Sequence, residues 1–311
     1  MLRASFAFSI MALCVKFVSR SLPSLEIVFF RSLIGTLMIL ALIYAKKISL
    51  WGKERGLMTL RGLSGFLALS LHFYTIANLP LGTAVMLNYT APIFACILAI
   101  LFLKERPGLF LAGMILVSFC GVYFLVEGGF KTWDFRIFLG LLSAFFAGIA
   151  YTSIRALKSH ESPLTIIFYF TGVSAVGSIA FLPFGFKWPG FNEWLLLMGI
   201  GIGSFYGQLW MTMALRRAPA SLVSSFSYLT PLLSFVYGLI FFGEKLTPHS
   251  LFGAFLIVFG GSLISYVEAR KLKVRVDLID RFRLQRFFFG KLDSNKKINS
   301  GNDKTFEKSQ M

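Results

Sequence analysis

One stretch of this chain occurs twice. LPLGTAVMLNYTAPIFACILAILFLKERP, ending at Pro107, returns as APASLVSSFSYLTPLLSFVYGLIFFGEKLTP between Ala218 and Pro248. A displacement of 139 residues carries Pro80 onto Pro219, Tyr89 onto Tyr228, Pro92 onto Pro231 and Glu105 onto Glu244. It also takes Lys16 onto Arg155, Phe66 onto Phe205 and Gly121 onto Gly260, so the register holds over most of the chain. An ungapped duplication this long restricts the fold to two copies of one unit.

The solvent of that unit follows from charge. Of 311 residues, 56% are hydrophobic and 14% charged, with mean hydropathy +0.74. A soluble domain carries about 25% charged residues. Here charge is too sparse to cover a water-facing surface, and apolar runs of bilayer length recur. Ten spans can be marked, near 3–19, 25–45, 57–77, 82–103, 108–126, 135–156, 163–183, 193–214, 219–242 and 248–267. The start resembles a signal peptide, but Lys16 and Arg20 stand where a small-residue cleavage site would be. The run is read as a first helix, short at its beginning.

Five spans per copy is an odd number, so the second copy must enter the membrane from the opposite side. The expected fold is an all-α membrane protein, ten transmembrane helices arranged as two inverted five-helix repeats. The expected units are 1–128, 129–267 and a basic tail, 268–311. Inverted repeats place a substrate site near the bilayer midplane between them. Lys and Arg concentrate in the even-numbered loops and the tail, which puts both termini in the cytoplasm. That bias accounts for much of the net charge of +17, so no nucleic-acid partner is expected. Within the tail, VRVDLIDRFRLQRFFFGK mixes apolar and basic residues and suits either an amphipathic helix on anionic lipid or a partly ordered extension.

Several classes of chemistry drop out. Cys14, Cys96 and Cys120 are scattered in apolar runs and have neither disulfide nor metal-ligand spacing. HExxH, G-x-S-x-G, P-loop and dinucleotide-binding patterns are lacking, so neither an enzyme nor a cofactor is expected.

Polar residues inside the spans point to a site. Pro92 and Pro231 interrupt the fourth and ninth helices beside Asn88, Tyr89 and Thr90 in one copy and Ser227, Tyr228 and Thr230 in the other. A proline inside a helix leaves a carbonyl unpaired, and lipid tolerates that only against protein or a wet cavity. A hinge whose polar groups satisfy each other and a cavity wall both fit. Arg31 reads as the one Lys or Arg well inside a span, and its counterpart in the second copy is Phe170. A cation at that depth is a functional residue by default, the alternative being a structural cation bonded to helix carbonyls or to Glu26. Arg31, His72 and Asn88 fall in one layer roughly 9–12 Å below the outer surface, at 1.5 Å rise per residue. Tyr151, Gln208, Ser227 and Tyr228 form the equivalent inner layer. Mid-span carboxylates are lacking, which disfavours lipophilic cations and suits neutral, zwitterionic or anionic metabolites. Glu105 and Glu244 end helices where the dipole disfavours negative charge. They invite two gate pairs, Glu105–Arg155 and Glu244–Lys16, or simple capping by Arg106 and Lys245.

Two proline-broken helices ending in FLKER and FFGEK, five helices per copy, and LEIVFFRSLIGTLMIL in the second helix resemble the drug/metabolite transporter superfamily, EamA type. The likeness covers about residues 1–267. It implies alternating access, a cavity walled by helices 1–4 and 6–9, and a location in the plasma membrane (the inner membrane of a bacterium). It also implies a cargo among amino acids, purines, vitamins, S-adenosylmethionine and similar metabolites. The function expected is thus secondary active transport of a small polar, zwitterionic or anionic metabolite. The alternative is a non-transporting membrane scaffold or partner subunit with a dry interior. Oligomeric state is open, a homodimer among the options.

Overall fold

The computed structural model describes residues 1–103, 109–125, 134–157, 161–217, 226–245, 247–264 and 266–267. Among them there are helices and no strands. The helices are α1 (Leu2–Val18), α2 (Ser24–Ala45), α3 (Arg55–Asn78), α4 (Leu81–Asn88), α5 (Ala91–Leu103) and α6 (Leu109–Leu125). The second copy supplies α7 (Phe135–Leu157), α8 (Pro163–Ile179), α9 (Phe191–Arg217), α10 (Leu229–Phe242) and α11 (Pro248–Ile264). Because α4 and α5 are halves of one interrupted span, the chain crosses ten times. Three helical stretches, Ser24–Ala45, Phe135–Ile154 and Phe191–Ala214, are long and apolar enough to cross a bilayer unaided. Large apolar side chains such as Leu37, Leu109, Leu116, Val176, Ile240 and Phe255 stand exposed on the outside of the bundle, as a lipid-facing surface requires.

Local sequence explains the helix ends. Ser162 accepts a bond from the Leu164 amide at the start of α8, with Pro163 in the first position, where its missing N–H costs nothing. Gly243, at φ 62°, closes α10 in the left-handed conformation that favours glycine. The breaks fall just before the prolines rather than at them. Tyr89 and Thr90 leave the helix, and Pro92 then occupies the first turn of α5. Tyr228 interrupts the other copy ahead of Pro231 in the first turn of α10. The chain places the proline where no backbone donor is needed.

Packing follows the exchange of the two copies. α3 lies along α7, and its counterpart α9 lies along α1; α3 also meets α8 as α9 meets α2. Contacts at single glycines repeat the rule. A Cβ on Gly62 would meet Val173 Cγ2 at 2.8 Å, and one on Gly201 would meet Ile34 Cγ2 at 2.6 Å, the same pair of positions in the other copy. Gly121 packs on Gly253 and Ile257, while Gly260 packs on Met114 and Ser118. Without a hydrophobic drive between helices in lipid, close approach at small residues holds such bundles together. Gly203 against the Ala7 carbonyl and Gly148 against Ala91 and Ala95 serve the same end.

Candidate functional site

Six helices deliver polar side chains to one cavity in the middle of the bundle, α10 through Thr230. Arg31 from α2, His72 from α3, Asn88 and Tyr89 from the break after α4, Tyr151 from α7 and Gln208 from α9 all line it. Its volume is ≈ 100 Å³. Apolar wall comes from Phe8, Met11, Leu69 and Phe170, among others.

Individual polar groups are held to different degrees. Asn88 Nδ2 donates to Ser143 Oγ at 2.7 Å, and Ser143 donates to the Ala68 carbonyl at 2.8 Å, which fixes the amide. His72 Nδ1 and Gln208 Oε1 are buried without a hydrogen-bond partner among the described residues. Ser227 and Tyr228 flank the second break but do not line the cavity. Tyr228 is buried, its hydroxyl seated where Gly261 lacks a side chain, and its ring centroid lies 6.2 Å from that of Tyr89. The two breaks therefore meet through their tyrosines.

A residue that sequence reasoning leaves outside the site proves to be inside it. Arg61 follows Lys53 and Arg55 and reads as one more flanking charge, yet it is only 4% exposed and lines the cavity. Arg31 is therefore not the one deep cation, a correction to the sequence reading. Gly65, one turn further along α3, leaves the space against which Arg61 Nη1 and the Phe170 ring pack. That glycine spacing was the available signal, but without knowing which face of α3 turns inward it could not be read.

Arg31 Cζ lies 4.9 Å and Arg61 Cζ 4.2 Å from the centroid of the same Phe170 ring. Each ring contact contributes about 0.5–2 kcal/mol. Burying an unpaired charge costs several kcal/mol, so the ring cannot offset two such cations. Among the described residues neither arginine has an ion-pair partner. Glu26 forms no ion pair with Arg31; its Oε2 accepts the Lys187 amide at 3.1 Å. The site is thus strongly electropositive and can hold an anion.

At one end of the bundle the helix ends are tied together. Lys16 Nζ lies 3.7 Å from Glu244 Oε1 and donates to the Leu79 carbonyl, while Glu244 Oε1 and Oε2 accept the Leu81 amide at 2.9 and 2.7 Å. Lys16 and Glu244 thereby join the end of α10 to the ends of α1 and α3 and the start of α4. Phe17 packs on Phe242 at 4.8 Å between ring centroids, with Arg20 over Phe242 at 5.0 Å. Glu105 and the tail from residue 268 lie outside the described residues, as does the side chain of Arg155. No group of three or more potential metal ligands occurs among the described residues.

Inverted five-span repeats around a polar cavity at broken helices are an architecture that recurs among transporters. The chain belongs to the EamA-like transporter family, whose model matches residues 1–127 and 134–266. It is similar to the pseudopaline exporter CntI of Pseudomonas aeruginosa, 35% identical over 82% of this chain and 90% of the exporter. It is 26% identical to a riboflavin transporter of Vibrio cholerae over 87% of this chain and 93% of that protein. An S-adenosylmethionine uptake transporter of Rickettsia bellii is 23% identical, over 84% of this chain and 90% of the relative. A solved crystal structure shares the fold at TM-score 0.63 and 19% identity, covering 87% of this chain and 96% of the other.

Proposed function

We propose that this protein is a secondary active transporter that moves a small metabolite bearing negative charge, by alternating access. The observation that carries this reading is the central cavity, in which Arg31 stands at mid-bundle with no carboxylate among the described residues to neutralise it. Arg31 orients the substrate's anionic group. Asn88, Tyr89 and Gln208 bond its polar remainder, and Tyr151 and Phe170 offer ring faces for stacking. Relatives named for a pseudopaline, for riboflavin and for S-adenosylmethionine support a small-molecule cargo. The cavity supports a carrier over a dry scaffold.

At ≈ 100 Å³ the cavity is small beside ligand sites of about 300–1,000 Å³. Substrate therefore enters only when the repeats rock apart. The Lys16–Glu244–Leu81 cluster is the gate at one end; the 139-residue displacement relates Glu244 to Glu105 and Lys16 to Arg155 in the sequence of the other copy. Both termini face the cytoplasm, which makes the tied end the outer one, in the plasma membrane of a bacterium.

Uptake or efflux of a labelled anionic metabolite in cells expressing Arg31→Ala tests the reading. Transport falls by about 10- to 100-fold while the protein still inserts; wild-type rates in that variant would refute it. A cysteine at Asn88 that reacts with a water-soluble thiol reagent from either side marks a wet cavity, and no reaction from either side favours the scaffold.

A further inference from the structure

Two buried cations crowd one aromatic ring, and the described residues offer neither of them a counter-ion. A zwitterion or a monoanion needs one arginine. A second guanidinium at the same ring adds repulsion and leaves the site one positive charge in excess after a singly charged group has bound. Nε and Nη1 of Arg31 and Nε of Arg61 are buried without hydrogen-bond partners among the described residues. Arginine presents its donors as a planar fork that matches a carboxylate or a phosphoryl group.

We propose that the cavity is a two-point receptor for a small molecule carrying two separate anionic groups, one taken by Arg31 and the other by Arg61. This rests on the carrier reading above and narrows its substrate class. The guanidinium groups are no further apart than their two distances to the Phe170 centroid, 4.9 and 4.2 Å, laid end to end. Short aliphatic dicarboxylates bridge such a gap. The connecting carbon chain lies on Phe170 and on the apolar wall of Met11 and Leu69, which also line the cavity. Gly65 belongs to the receptor because its missing side chain lets Arg61 fold inward beside the ring.

The test uses the full-length protein purified in detergent, its unfolding temperature followed in acetate, succinate, glutarate, adipate and inorganic phosphate at constant ionic strength. At least one dicarboxylate raises the unfolding temperature at concentrations where acetate and phosphate do not. Arg31→Gln and Arg61→Gln each weaken that dicarboxylate by about 10- to 100-fold, the loss of a charged hydrogen-bonding partner. Each also raises the unfolding temperature of the ligand-free protein, because an uncompensated buried cation is gone. A structural arginine would do the opposite, so a lower ligand-free value overturns the proposal. Equal effects of acetate, phosphate and dicarboxylates overturn it as well, and so does unchanged dicarboxylate affinity in Arg61→Gln. Should Arg61→Gln resist purification, Arg61→Lys decides: intermediate affinity supports the two-point site and full affinity rejects it. Ala147→Cys, on the cavity wall, separates the two levels of claim. Labelling of the introduced thiol by an impermeant reagent, without any dicarboxylate preference, removes the receptor and leaves the carrier. No labelling from either side removes both.

Discussion

The two repeats pack alike and differ in the chemistry they bring to the cavity. Gly62 on Val173 and Gly201 on Ile34 occupy the same positions in the two copies, as do the glycine contacts between α6 and α11. Around the cavity the same displacement pairs unlike residues: Arg31 with Phe170, His72 with Met211, Leu69 with Gln208, and Ala12 with Tyr151. The helix contacts match because both copies solve the same packing problem with the same small residues. Cavity positions carry no such matched helix contacts, and there the copies have diverged. The first repeat supplies both cations, while rings and neutral polar groups come from both repeats. Symmetry here belongs to the scaffold, and specificity comes from its violation.

Breaking the scaffold is expected to do most. Gly201→Leu and Gly62→Leu force a side chain into Ile34 or into Val173 and the Tyr169 carbonyl. Each lowers stability by roughly 3 kcal/mol, the upper range for overpacking. Equal losses in detergent unfolding would show that the copies share the load; a loss in one copy alone would break the comparison. Next comes the asymmetric pair. Arg31→Ala reduces transport by about 10- to 100-fold, the worth of a charged hydrogen bond, whereas Phe170→Leu costs roughly tenfold or less by removing a ring face. Matching losses would mean that the copies contribute alike.

Smaller effects concern the tied end. Glu244→Gln removes the charge held at the start of α4 and weakens the cluster by about 1 kcal/mol. Its readout is faster thiol labelling of a cavity cysteine from that side. Lys16→Gln costs less, about 0.5 kcal/mol, because its 3.7 Å pair is still 15–16% exposed. A larger effect from Lys16 than from Glu244 would move the weight of the closure onto the Leu79 carbonyl.

Much of the site was legible from residues that lipid makes conspicuous. Arg31, His72, Asn88, Tyr151 and Gln208 stand out because a polar group inside an apolar run must have a reason to be there. Arg61 does not, since a cation near a helix start ordinarily turns toward water. Symmetry places Ser227 and Tyr228 in the site as well, but the exchange of copies is only approximate. The second break seats Tyr228 behind Tyr89 instead.

Read alone, the sequence determined the number of spans, the duplication and the inversion. A bilayer admits only helices of set length, and an odd count leaves one way to insert the second copy. Tertiary structure alone decided which face of each helix turns inward. Side-chain direction around a helix depends on what packs against it, and only the fit of α3 against α7 and α8 directs Arg61 toward Phe170. A single cation in the sequence thereby becomes a pair in the fold.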